Sequence, residues 1–125
     1  MSIGEYIAVL RREIEKLDPF GFAENIDFRD ELRAGKQAII KVEVSFVDGS
    51  TLVIREYVDA KYDIEILSYA YHFQDQNNVL IFRYDNASHK PMLGFEQHKH
   101  IGEKDIIEAP PPNIIELLEE VVTYL

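Results

Sequence analysis

The chain reads as a single α+β domain over residues 1–125: a mainly antiparallel sheet of about five to six strands, with N- and C-terminal helices packed on one face. Three observations predict this. Each end of the chain carries a helix-capping signature joined to an apolar stripe of helical period. Between them, apolar and polar residues alternate in short runs separated by turn residues. No repeat, low-complexity linker or composition break divides the 125 residues, a length that suits one domain.

Ser2 and Glu5 form an S-x-x-E capping box, and Ile3, Ile7, Leu10, Ile14 and Leu17 fall on one face, so a helix is predicted from Ser2 to about Leu17. Asp18-Pro19 stops it. A first strand is expected from about Asn25 to Arg33, paired across Ala34-Gly35 with the next. Ala38 to Val47 alternates cleanly, with Ala38, Ile40, Val42, Val44 and Phe46 on one side. Asp48-Gly49-Ser50 turns the chain, and Thr51 to Val58 returns with Leu52, Ile54 and Val58 on the same apolar face if the loop has an odd number of residues. Ile64 to Gln74 and Val79 to Asn86 form a second hairpin around Asp75-Gln76-Asn77-Asn78. A two- or four-residue loop sets Phe73 opposite Leu80, Tyr71 opposite Phe82 and Tyr69 opposite Tyr84, an aromatic face that reads as core. The same register sets His72 opposite Ile81, Ala70 opposite Arg83 and Ser68 opposite Asp85 on the polar face. One or two short strands are expected in the weakly patterned stretch from Ala87 to about Ala109, near Phe95–His100 and Asp105–Glu108. After Pro110-Pro111-Pro112, the N-x-x-E box of Asn113 and Glu116 starts a helix at about Ile114, with Leu117, Leu118, Val121, Val122 and Leu125 in its stripe.

Composition bounds the function. There is no Cys, which excludes disulfides, thiolate metal sites and a cysteine nucleophile. The start Met1-Ser2-Ile3-Gly4-Glu5 has no basic region followed by an apolar run, and no apolar stretch reaches bilayer length, so a cytoplasmic protein that does not engage the membrane is expected. The formal net charge of −10 argues against a large basic nucleic-acid footprint but not against a local anion site. Charge is uneven: residues 1–82 are net −6 and residues 105–125 net −5, whereas residues 83–104 are net +1. All four His lie between positions 72 and 100.

His72, Arg83 and Asp85 share the polar face of the second hairpin, and His89, His98 and His100 follow. Three readings stay open. Imidazoles exchange protons near neutral pH and Arg83 could brace a charged phosphorus, which suits metal-free phosphoryl chemistry on RNA or a nucleotide, with Asp85 orienting a His. His98-x-His100 on a strand would turn both rings to one side and, with His89, His72 or Asp85, could bind Zn²⁺ in a His-based metal site. The bland alternative makes His72 a half-exposed sheet residue, Arg83–Asp85 a weak surface ion pair and His98 and His100 solvated loop residues. There is no glycine-rich phosphate loop, G-x-S-x-G elbow or H-E-x-x-H motif.

The run Ser68-Tyr69-Ala70-Tyr71-His72-Phe73-Gln74-Asp75, then Leu80-Ile81-Phe82-Arg83-Tyr84-Asp85-Asn86-Ala87, then His89 and His98-Lys99-His100, resembles the signature of the TumE-like toxins of toxin–antitoxin systems. The resemblance covers most of the chain in order, and its specific part is residues 68–100. It implies the toxin half of a two-gene module, neutralised by contact with a small helix-turn-helix antitoxin. RNA cleavage is the activity to expect, with His72, Arg83, Asp85, His89, His98 and His100 as candidate catalytic residues and no cofactor. A homodimer is a further assembly to consider. Two features depart from the pattern: Lys90 stands where the family often has a second His, and the charge of −10 is unlike that of ribosome-dependent ribonuclease toxins, which are basic. The competing class is a non-enzymatic module that docks a partner through its open sheet face or edge.

Overall fold

The structure, a computed structural model, describes residues 1–87 and 96–125. In chain order these are α1 (Ile3–Glu15), β1 (Ala23–Arg33), β2 (Gln37–Phe46), β3 (Thr51–Asp59), β4 (Glu65–Gln74), β5 (Leu80–Asp85), β6 (His98–Ile101), β7 (Asp105–Glu108) and α2 (Ile114–Val122). The strands form one sheet in the order β1-β2-β3-β4-β5-β6-β7, each antiparallel to its neighbour. The expectation of five to six strands is therefore corrected to seven. The shortfall came from the far end: β6 and β7 have four residues each, too few for an alternation to register, and β7 is exposed throughout.

Both capping boxes form. Ser2 Oγ accepts from the Glu5 N–H and Asn113 Oδ1 from the Glu116 N–H, while each glutamate accepts from the cap residue's own N–H. Ile7, Leu10 and Ile14 of α1 and Leu117, Leu118 and Val121 of α2 are buried against the same sheet face. That face carries the inward alternation of β2 and β3 together with Tyr69, Tyr71, Phe73, Phe82 and Tyr84. Each large aliphatic or aromatic side chain buried there contributes about 1.5–3 kcal/mol. The opposite face has no helix on it among the described residues.

The first hairpin keeps its expected register, with Val42 opposite Ile54 and Val44 opposite Leu52. Its loop is odd, and Gly49 takes φ 89°. A Cβ there would lie 2.9 Å from Gln76 Cβ, so the two hairpin turns pack tip to tip only with glycine at this position. The second hairpin keeps its faces but not its partners. Tyr71 opposes Tyr84, Phe73 opposes Phe82 and His72 opposes Arg83, two residues from the expected pairing. Asp75 explains the shift. Its N–H donates to the Val79 carbonyl, its Oδ1 accepts from the N–H groups of Asn77 and Val79, and Asn78 takes φ 62°. This wider turn ends in a bulge between Phe73 and Gln74. A two-residue shift conserves which side chains face the core.

One charge enters the core. Glu56 of β3 is 5% exposed and accepts hydrogen bonds from Tyr6 of α1 and Tyr71 of β4. Burial pushes its carboxyl above the ordinary value, with the two hydroxyl contacts partly offsetting this.

Candidate functional site

The site lies on the sheet face away from the helices. It is built on β5, whose two neighbours bring histidines to it. Arg83 stands opposite His72 on β4 and His100 on β6; Asp85 stands opposite Ala70 on β4 and His98 on β6. Directly opposed residues share a face, so all five site residues on β4, β5 and β6 face the same way.

Asp85 is the hub. It is 3% exposed, and its Oδ2 receives Arg83 Nε at 3.1 Å and lies 3.3 Å from His100 Nε2. Its Oδ1 accepts from the Ala87 N–H at 3.0 Å and lies 3.5 Å from His98 Nδ1. Burial alone raises the carboxyl, but the Ala87 N–H, the Arg83 guanidinium and His100 outweigh it and hold Asp85 below its ordinary value. An ionised Asp85 acts only as an acceptor, so the His100 contact puts a proton on Nε2.

Arg83 reaches in the other direction to His72, with its Nη1 3.2 Å from His72 Nδ1. Arginine can only donate, so Nδ1 is an acceptor and the proton sits on Nε2. Nε2 in turn lies 3.0 Å from Gln74 Oε1, and Gln74 Nε2 donates to Asn78 Oδ1. The chain Asn78–Gln74–His72–Arg83–Asp85–His100 thus fixes one tautomer of His72 and one orientation of the guanidinium.

Of the six sequence candidates, the structure brings together His72, Arg83, Asp85, His98 and His100; His89 lies outside the described residues. The picture of solvated loop residues does not hold for the last pair. His98 is 2% exposed and both rings turn toward Asp85 from a strand. Among the described residues, no group of three or more His, Asp or Glu is placed to hold a metal ion. Gln74 and Asn86 stand in the family-like runs of the sequence but had no role assigned there. Asn86 clips a second bulge of β4, where Leu67 is the extra residue between Ile66 opposite Val58 and Ser68 opposite Tyr57, accepting from the Tyr69 N–H and donating to the Leu67 carbonyl. The Gln-Asp and Asp-Asn pairs that close the two strands were the available signal.

A family model described as Toxin TumE matches residues 10–125. The chain belongs to the TumE toxin family. The resemblance concentrated in residues 68–100 thus extends over nearly the whole chain, and the residues that carry it most specifically are those the sheet gathers around Asp85. Membership of this toxin–antitoxin family implies an antitoxin as partner. Comparison with curated proteins and with solved structures gives no match. No described helix is long and apolar enough to cross a membrane.

Proposed function

We propose that this chain is a toxin that cleaves RNA at a phosphodiester, with His100 as the base, Asp85 as its orienting carboxylate and Arg83 as the phosphate-bracing cation. One observation carries the reading: a buried, ionised Asp85 holds His100 and Arg83 at once, on an open sheet face. Asp85 fixes the proton on His100 Nε2 and leaves Nδ1 as the basic nitrogen of the neutral ring. A ribose 2′-hydroxyl losing its proton to Nδ1 attacks the adjacent phosphorus. The bond to the 5′ oxygen breaks, and that oxygen takes a proton from water. Negative charge grows on the phosphoryl oxygens, where the Arg83 guanidinium compensates it.

In this scheme His72 is a positioning residue. Its Nδ1 accepts from Arg83, so protonating it would break the contact that aims the guanidinium. His72 and His100 flank Arg83 two strand spacings apart, about 10 Å. A phosphate on Arg83 would therefore have an imidazole on each side. His98, buried against the opposite oxygen of Asp85, steadies the carboxylate. The reading places the toxin in the cytoplasm, with a small helix-turn-helix antitoxin as its neutralising partner.

Expression of the wild type without an antitoxin is expected to arrest growth, with total RNA becoming fragmented. His100→Ala should lower RNA cleavage about 10²–10⁴-fold and restore growth. Equal growth of wild type and His100→Ala, with intact RNA in both, would sink the proposal.

A further inference from the structure

Next to the site, the open sheet face carries three cations in a row. Arg29 on β1, Lys41 on β2 and Arg55 on β3 are directly opposed, Arg29 to Lys41 and Lys41 to Arg55. Like charges directly opposite one another destabilise a sheet. Asp27 and Glu43 moderate the outer end: Asp27 pairs with Arg29, and Glu43 lies two residues from Lys41 on the same face. Glu43 also stands opposite Val53, diagonal to Arg55 on the same face, yet it forms no ion pair with Lys41 or Arg55. The same-face neighbours of Arg55 along β3 are Val53 and Tyr57, and its partner on β4 is Ala70. Among the described residues neither Lys41 nor Arg55 has an ion pair. In a chain of net charge −10, a directly opposed cation pair with no ion-pair partner among the described residues, one strand away from the strand of His72, points to an anionic ligand.

The surface beside this pair is shaped. A groove of about 680 Å³ runs between Lys41 and Arg55 on one side and Asn86 and Ala87 on the other. Ser68 and Ala70 line it with small side chains, and Ile39, Tyr57 and Leu67 give it an apolar wall. Leu67, the extra residue of the bulge between Ile66 and Ser68, is 41% exposed. Asn86 and Ala87 directly follow Asp85, and Ala70 stands opposite it, so the groove adjoins the site.

We propose that this groove is the subsite for the nucleotide flanking the cleaved bond in single-stranded RNA, its phosphate on Arg55 and Lys41 and its base against Tyr57, Ile39 and Leu67. The inference rests on the RNA-cleaving reading and adds the class of substrate. The groove is open, and its apolar wall of Ile39, Tyr57 and Leu67 suits a splayed base rather than a stacked duplex. The local cation pair also accounts for how so acidic a protein can hold a polyanion: it needs few phosphate contacts, all at one place.

The test is fluorescence anisotropy with a labelled single-stranded 2′-O-methyl oligoribonucleotide of mixed sequence, which lacks the attacking 2′-hydroxyl and stays intact, using the full chain. The wild type is expected to bind, with a salt slope that indicates two or three phosphate contacts. Arg55→Glu should weaken binding at least tenfold and lower the slope by about one, while Arg55→Lys retains most of the affinity. Melting curves confirm that each variant is folded, as expected for exposed positions. Wild-type affinity in Arg55→Glu, or no binding by the wild type, would overturn the groove assignment. Retained RNA cleavage by His100→Ala would instead overturn the catalytic reading, so the two failures are separable.

Discussion

Asp85 and Glu56 are both buried carboxylates, yet they titrate in opposite directions because their partners differ. Asp85 faces a guanidinium, an imidazole and a backbone N–H, which hold it below the ordinary 3.8. The unfolded chain then binds the proton more readily, so the stabilisation is complete above pH 3.8 and disappears as pH falls through the lowered folded value. Asp85→Asn should lose about 2 kcal/mol at pH 7, because Arg83 and His100 lose a charged acceptor. Acid unfolding curves should show the difference from wild type shrinking below pH 3.8. Glu56 meets only tyrosine hydroxyls, and desolvation raises it from 4.5. Here the folded state keeps the proton longer, so stability falls as pH rises from 4.5 through the raised value. Glu56→Gln should raise Tm at pH 8 and change it little at pH 4, as a paired thermal melt would show.

At the scale of elements, the Tyr6–Glu56–Tyr71 contact ties α1 to β3 and β4. Tyr6→Phe removes one of the two donors to a buried carboxylate and should cost about 1.5–3 kcal/mol in denaturant unfolding. The alternation of β3, Leu52-Ile54-Glu56-Val58, had displayed the charge in a core position, but the sequence offered no way to see that Tyr6, fifty residues away, would satisfy it. The second hairpin taught a similar lesson. Its two faces followed from period-two alternation, which a two-residue shift cannot disturb. Which residue opposes which depended on the Asp75 turn and the bulge at Phe73/Gln74, and these belong to loop geometry. That shift matters for the site: the expected register separated His72 from Arg83, and the observed one opposes them.

For the whole molecule, net charge dominates two properties of opposite salt dependence. A chain of −10 repels itself, so added salt should raise Tm from its low-salt value as the repulsion is screened. Oligoribonucleotide binding should weaken over the same range, because it depends on the local cations Lys41, Arg55 and Arg83. Melting and anisotropy on one salt series check both signs together. The two helices share one sheet face, which leaves the opposite face to the candidate site.

The sequence alone determined the layers, the core face and most residues of the candidate site. Those depend on local periodicity, capping and residue type, which can be read within a few neighbouring positions. Only the tertiary structure decided that seven strands form one meander, that Asp85 lies between Arg83 and His100, and that Lys41 and Arg55 stand together beside them. Each of these is a pairing between strands distant in the chain. Such pairings are set by turn geometry, bulges and the competition among strand partners, and no single stretch of sequence records them.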